Sequence, residues 1–260
     1  MKNMSDLFHN GQSYAQFRPS YPAEVARRVA ELSPGSSLAV DVGCGTGQFS
    51  TLIAPYFDRT VGCDPSSAQL QGRALAPGLD YLCADAGELP FRDHCVDLLS
   101  VAQAIHWVPL AKFNREACRV LKPGGILIVL SYATCYLVDK HLNALFQDFY
   151  WGPFHRFWEP ERKIAESNLS GIDLPGKDIP QGETTLRKTM TYRDFRGYLE
   201  TWSALKTAEQ SGPEGRQEFE DFMTQLHRVW QPDQREIEVR WPLTIKITRM
   251  VDSVHQQNGH

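Results

Sequence analysis

Apolar residues change period repeatedly along this chain, and the changes mark alternating strands and helices. Short apolar runs of strand length end at Val42 and at Cys63, and others cover Asp80 to Cys83, Val96 to Val101 and Ile126 to Ser131. Between them the spacing turns helical. One helix begins at Pro22 and gathers Val25, Val29, Ala30 and Leu32 on one face. A second continues through Ser50 to Phe57, and a third from Pro109 gathers Phe113, Ala117, Val120 and Leu121. Strand and helix in alternation predict an α/β fold built on a doubly wound, mostly parallel sheet with helices on both faces.

Proline and glycine supply the breaks. A short N-terminal helix over residues 5 to 17, with Leu7, Phe8, Tyr14 and Phe17, stops at Arg18-Pro19-Ser20-Tyr21-Pro22, and Ser33-Pro34-Gly35 stops the next. Lys122-Pro123-Gly124-Gly125 reads as the turn before the fifth strand. Past Tyr132 the pattern changes: a helix at Lys140 to Tyr150 leads into the aromatic stretch Phe149 to Trp158. Residues 150 to 182 hold repeated Gly and Pro with no sustained period, which predicts an inserted lid. Regular structure then returns as a strand at Thr184 to Thr191, helices at Tyr192 to Ser203 and Pro213 to Trp230, and a strand over Ile237 to Met250. Both strands alternate with period two, as antiparallel edge strands do.

Composition narrows the partners. The 260 residues are 42% hydrophobic with a net charge of −4, enough apolar material for one large domain and no basic stripe for nucleic acid. No run approaches the roughly 18 apolar residues of a membrane span, and the N-terminus lacks the apolar core of a secretory signal, so a cytoplasmic protein with no membrane partner is expected. Six cysteines without a Cys-x-x-Cys pair read as reduced, buried hydrophobes, neither a disulfide framework nor a metal site. A monomer or weak homodimer is expected.

The chemistry centres on Asp41-Val42-Gly43-Cys44-Gly45-Thr46-Gly47, where a strand runs into a helix through glycines spaced two apart. Glycine there admits positive φ and removes each Cβ, so a ligand can lie against the backbone. The acid at the start argues against a phosphate ligand, and Gln48 stands where a dinucleotide site places its third glycine. An acid ending the second strand, Asp64, lies within reach of a ribose at the sheet edge; its other reading is a helix cap.

This motif resembles the first motif of the class I S-adenosylmethionine-dependent methyltransferases. Asp85 after the third strand, Leu89-Pro90-Phe91 before the fourth and Lys-Pro-Gly-Gly before the fifth are similar to phrases of the same family. The resemblance implies a Rossmann-like, seven-stranded sheet closed by an antiparallel last strand, with an N-terminal helical arm and an inserted lid. It implies S-adenosylmethionine as methyl donor, with S-adenosylhomocysteine as product, held by Tyr14, Asp41, Gly43, Cys44, Gly45, Gly47, Asp64, Pro65, Asp85, Ala86 and Gln103. A single domain over 1–260 follows: a cap at 1–35, a cofactor core at 36–135, a lid and acceptor region at 136–183, closing strands and helices at 184–251, and a tail at 252–260. The Tyr14…Arg18-Pro19-x-Tyr21-Pro22 arm resembles one branch, the type 11 or trans-aconitate methyltransferase-like proteins, which includes small-molecule carboxyl methyltransferases.

The fourth strand delivers Gln103 to Trp107 to the sheet edge that carries the glycines. The Asn/Asp-Pro-Pro-Tyr/Phe motif of base-modifying methyltransferases is absent there. His106 is the candidate general base, since an unperturbed imidazole titrates near neutral pH; its other reading is packing. Arg18, Trp107, Arg156 and Trp158 are candidate acceptor contacts, the arginines because a guanidinium fork matches a carboxylate. The expected activity is methyl transfer to a small-molecule acceptor, with a carboxylate, hydroxyl, amine or thiol as the accepting group. The rivals are a non-catalytic S-adenosylmethionine- or S-adenosylhomocysteine-binding protein that acts through a partner, and a nicotinamide-dependent oxidoreductase.

Overall fold

The structure, a computed structural model, describes residues 16 to 251. Most of the expected N-terminal helix, including Tyr14, and the tail from 252 lie outside the described residues.

Five parallel strands form the heart of the sheet: β1 (Ala39–Val42), β2 (Thr60–Asp64), β3 (Leu79–Cys83), β4 (Val96–Ala102) and β5 (Leu121–Tyr132). Their order is β3-β2-β1-β4-β5, so the order reverses between β1 and β4 and opens a crevice at their carboxyl ends. The long β9 (Ile237–Arg249) runs antiparallel to β5 and carries three further segments: β6 (Tyr136–Leu137), β7 (Lys177–Ile179) and β8 (Thr184–Met190). Residues 239 and 240 of β9 pair with β6 on one edge and β8 on the other, while residues 247 to 249 pair with β5 and β7. Thus β6 continues the lane of β5, and β7 and β8 share a lane. Nine segments therefore occupy the seven lanes expected.

Alternate residues of the strands feed two cores. Ala39, Leu98, Ile126, Ile128 and Leu130 pack with α1 (Ala23–Leu32), α2 (Gln48–Ile53) and the C-terminal helices. Val40, Val42, Leu99, Val101, Leu127 and Val129 meet Phe113, Ala117 and Val120 of α4 (Leu110–Val120), after the short α3 (Ser67–Gln71) has followed β2. Period two places successive residues on opposite faces, so each central strand is buried on both sides.

Several boundaries differ from expectation. The helix expected to reach Phe57 gives way at Pro55 to a 3₁₀ turn over Ala54–Tyr56. Lys122-Pro123-Gly124-Gly125 lies inside β5 as an irregularity: Val96 pairs with Leu121 and Leu98 with Ile126, so the four residues loop out. Lys122 Nζ from that loop meets both carboxylate oxygens of buried Asp97 at 2.8 Å, and Asp97 also accepts the Leu38 N–H, a structural role for the acid opening β4.

The expected lid is largely built into the body. After α5 (Lys140–Trp151), Phe149, Phe154 and Phe157 enter the core, Phe149 stacking on Phe222 at 3.9 Å. A 3₁₀ turn (Pro153–Phe157), α6 (Arg162–Glu166) and β7 occupy the stretch expected to lack regular structure. The helix expected over Tyr192 to Ser203 is two: α7 (Tyr192–Glu200), opened by a Thr191/Asp194 capping box, and α8 (Ser203–Ser211). The last helix, α9 (Pro213–Trp230), matches its expected bounds. All six cysteines are free; Cys63 and Cys135 are buried, but Cys83 and Cys118 are exposed, because neither points into a core.

Candidate functional site

The turn after β1 is held by the chain itself. Gly43, Gly45 and Gly47 have φ of 66°, 55° and 83°, values that L side chains rarely adopt. A Cβ on Gly43 would stand 2.5 Å from that of Ala104, and one on Gly47 1.9 Å from Tyr81 Oη. Beneath the turn, Asp41 is buried and accepts hydroxyls from Ser50 at 2.6 Å and Ser100 at 2.7 Å. Burial pushes its pKa up to about 6 against the pull of those two bonds. Burial, with Asp41 and Asp64 nearby, drives the Cys44 thiol far up and keeps it protonated.

Asp64 performs two jobs at the end of β2. Its Oδ2 accepts the Gly45 N–H at 2.9 Å and its Oδ1 accepts the Ser66 N–H at 2.8 Å, so the carboxylate straps the glycine turn to the loop before α3. Burial raises its pKa, with the Ser66 and Gly45 N–H groups opposing. Each oxygen retains lone-pair capacity beyond its one backbone bond. The helix cap proper is Ser66, whose hydroxyl accepts from Gln69 N. Further along the edge, Asp85 Oδ1 accepts the Gly87 N–H at 2.7 Å, and Ala86 is buried.

Gln103, after β4, has a φ of 56°, uncommon for a residue with a side chain. Its amide is spent on the protein: Nε2 donates to the Tyr132 carbonyl and Oε1 accepts the Tyr132 N–H, both at 2.8 Å. It thereby clamps the ends of β4 and β5 together below the 3₁₀ turn Ile105–Trp107.

These residues surround one cavity of about 340 Å³, within the range of about 300 to 1,000 Å³ usual for small-molecule sites. Asp41, Gly43, Cys44, Gly45, Asp64, Pro65, Asp85, Ala86 and Gln103 line one part; Arg18, His106, Trp107 and Trp158 line the rest. Gly47 is not among the lining residues. Arg156 is also outside it, because its guanidinium pairs with Glu218 at 2.7 Å on the outer side of the aromatic cluster. The sequence reading missed Arg162, Glu159, Ser203 and Tyr21 as wall residues. The Pro–x–Tyr–Pro pattern had pointed at Tyr21, but nothing local could have singled out Arg162.

His106 is 8% exposed, with no hydrogen bond to Nδ1 among the described residues. Burial, then Arg162 and Arg18, pushes its pKa down to about 3. The ring is therefore held uncharged and is a weaker base than a free imidazole. Arg18 is tied by Nε to Thr201 Oγ1 at 2.9 Å and lies over the Tyr198 ring. Arg162 Nε donates to Tyr150 Oη at 3.2 Å, its Nη2 donates to the Ala133 carbonyl at 2.5 Å, and its Cζ lies 4.6 Å from the Trp158 ring centroid.

The site fits S-adenosylmethionine. A carboxylate at the end of β2 has acceptor capacity for hydroxyls, and at Gly45 a Cβ would meet only Gln69 Oε1, at 3.9 Å, which leaves an open backbone face. Among the described residues no group of three or more His, Cys, Asp or Glu is arranged to hold a metal, and no helix is long and apolar enough to cross a membrane.

Comparison with known proteins agrees. Residues 40–129 match a family model described as a methyltransferase domain. CRG1 of Saccharomyces cerevisiae, described as a probable S-adenosylmethionine-dependent methyltransferase, is 31% identical over 88% of this chain and 91% of its own. A solved structure described as a "putative type II methyltransferase" from Anaeromyxobacter dehalogenans superposes with a TM-score of 0.80 at 30% identity, covering 90% of this chain and 99% of that one. A malonyl-[acyl-carrier protein] O-methyltransferase of Methylococcus capsulatus is 33% identical over 59% of each chain. By its fold, its glycine turn and these relatives, the chain belongs to the class I S-adenosylmethionine-dependent methyltransferases.

Proposed function

We propose that the enzyme methylates the carboxylate of a small organic acid, as in the branch that includes the trans-aconitate methyltransferase-like proteins. The observation that carries this reading is that Arg18 and Arg162, both buried, line the same cavity as Asp64 and the glycine turn. Buried cations on the wall of a ligand cavity favour an anionic ligand. The likeness to a protein named for O-methylation of a malonyl group supports an oxygen acceptor.

In this reading Asp64 accepts from the ribose hydroxyls, Asp85 and Ala86 read the adenine, and the backbone from Gly43 to Gly45 faces the amino-acid end, while Asp41, Gly47 and Gln103 keep the turn and sheet edge in shape. Bound S-adenosylmethionine supplies an electrophilic methyl group on a sulfonium. The protein's task is to hold the acceptor oxygen in line with that carbon and exclude water, which contributes about 7 to 11 kcal/mol to such reactions. A carboxylate is ionised at neutral pH, so no residue needs to remove a proton. His106, uncharged, and Trp107, its ring 4.9 Å away, then wall the reaction space. Arg18 and Tyr21 reach the cavity from the N-terminal segment, in keeping with a cap at 1–35.

The test is a screen of acids, phenols, amines and thiols read by S-adenosylhomocysteine release. Turnover of acids with ester formation is the expected result; turnover confined to phenols, amines or thiols overturns the reading.

A further inference from the structure

Arg162 is presented in an uneven way. Its Nε and Nη2, which share one edge of the guanidinium, are engaged by Tyr150 Oη and the Ala133 carbonyl. Nη1 makes no hydrogen bond among the described residues, although the residue is 8% exposed and lines the cavity. A buried guanidinium normally uses its donors on partners, since an unmet charge-bearing N–H is costly. Beneath it, the indole Nε1–H of Trp158 is also buried without an acceptor among the described residues. Arg162 Nη1 is thus left without an acceptor at the wall of a ligand site, whereas the Trp158 N–H is enclosed and does not open onto the cavity.

The support behind Arg162 holds the fork in that orientation. Tyr150 Oη donates to Glu166 Oε1 at 2.5 Å and accepts from Arg162 Nε, and His155 Nε2 meets Glu166 at 3.2 Å. Glu166 stands 3.8 Å from Nε, so the counter-charge lies on the engaged edge of the guanidinium. Ser203, the first residue of α8, lines the cavity too; Trp202 before it gives no side-chain cap, so the helix N-terminus adds positive potential to this wall. Glu159 is the acid of the same wall, and its Oε1 accepts from Thr207 at 3.3 Å.

We infer that Arg162 is the specificity-determining residue for the acceptor, its Nη1 taking the acceptor's carboxylate, with Tyr150 and Glu166 as positioning residues. This rests on the acid-acceptor reading above. Because the contact is made on binding, its loss falls on KM and Kd more than on kcat. A lysine cannot replace the fork, since it offers no planar second edge for Tyr150 and Ala133.

The experiment uses the full chain saturated with S-adenosylhomocysteine and two matched probe pairs, benzoate against benzamide and hexanoate against hexanamide, with Kd read by calorimetry. The wild type is expected to favour each acid over its amide by about tenfold or more. Arg162→Gln is expected to bring that ratio to within about threefold of unity while still binding S-adenosylhomocysteine, which confirms that the variant is folded. Tyr150→Phe, with the charge retained and its support gone, is expected to fall between the two. A ratio unchanged in Arg162→Gln overturns the selector role and leaves the acid reading standing. No acid preference in the wild type, with S-adenosylhomocysteine bound normally, overturns both. If Arg162→Gln fails to fold, Arg162→Lys decides: wild-type acid preference overturns the assignment, and its loss supports it.

Discussion

Asp64 Oδ2 accepts the backbone N–H of Gly45 at 2.9 Å, and this bond joins the end of β2 to the glycine turn that follows β1. Asp64 is therefore not the helix cap, which is Ser66; its carboxylate shapes the turn and keeps acceptor capacity toward the cavity.

Replacing it removes both contributions. Asp64→Ala is expected to weaken S-adenosylhomocysteine binding by about tenfold or more, since hydrogen bonds to a charged acceptor are worth about 1.5 to 3 kcal/mol. Calorimetry checks this, and an unchanged affinity would confine Asp64 to shaping the loop.

Gly47 carries a different constraint, because its φ of 83° and the Tyr81 hydroxyl leave no room for a methyl group. Gly47→Ala is expected to cost about 1 to 3 kcal/mol, read as a lower Tm. Adding Tyr81→Phe removes the hydroxyl that a Cβ would meet at 1.9 Å but leaves Cζ at 2.9 Å, so only part of the loss should return. A melting temperature equal to wild type in Gly47→Ala would contradict the geometry.

His106 and Asp41 give opposite dependences on pH. Burial, then Arg162 and Arg18, lowers His106 from 6.5 to about 3, so in that window the unfolded chain binds a proton that the folded chain does not, and stability falls as the pH drops through it. Burial raises Asp41 from 3.8 to about 6, so the folded chain binds the extra proton there, and stability present at low pH is lost as the pH rises through 6. In urea titrations, His106→Asn should lose less stability than wild type between pH 7 and pH 4.5, by about 1 kcal/mol or more. The kcat/KM profile should show no inflection near 6.5 from His106; one that vanishes in His106→Asn would restore it as a titrating base.

Gln103 combines a left-handed backbone with a clamp on Tyr132. Both Gln103→Ala and Gln103→Gly lose the clamp, but only glycine relieves the backbone. The glycine variant should be the more stable of the two by about 1 kcal/mol, the reverse of the usual order. An alanine variant equal to or more stable than glycine would show that the φ of 56° carries no strain.

Much of the parallel half of the molecule was legible in the chain, because each strand there is a short apolar run closed by its own turn residues. Val40 to Gly47, Thr60 to Asp64 and Val96 to Gln103 carry their chemistry at the ends of strands, where periodicity and punctuation are local signals. The C-terminal half was less so. The nine residues of α8 followed α7 without a proline or glycine between them, and β7 is held to the sheet by pairing with residues 247 to 249, some 70 positions away. Phe149, Phe154 and Phe157 stand at the start of a stretch expected to form a lid, yet they complete a core shared with the C-terminal helices and the sheet.

The sequence by itself determined the glycine turn and the acids along the sheet edge: glycines at 43, 45 and 47, the acid that ends β2 and the one after β3 each follow from what one turn or one strand end requires. The tertiary structure decided the rest of the cavity wall. It set Arg156 against Glu218 on the outer side and brought Arg162 over Trp158 beside the cavity, two arginines six positions apart with opposite placements. Burial there also lowers the pKa of His106 well below that of a free imidazole. The reason is the same in each case: burial and the field of distant charges belong to the packed chain, and no residue's neighbours in sequence report them.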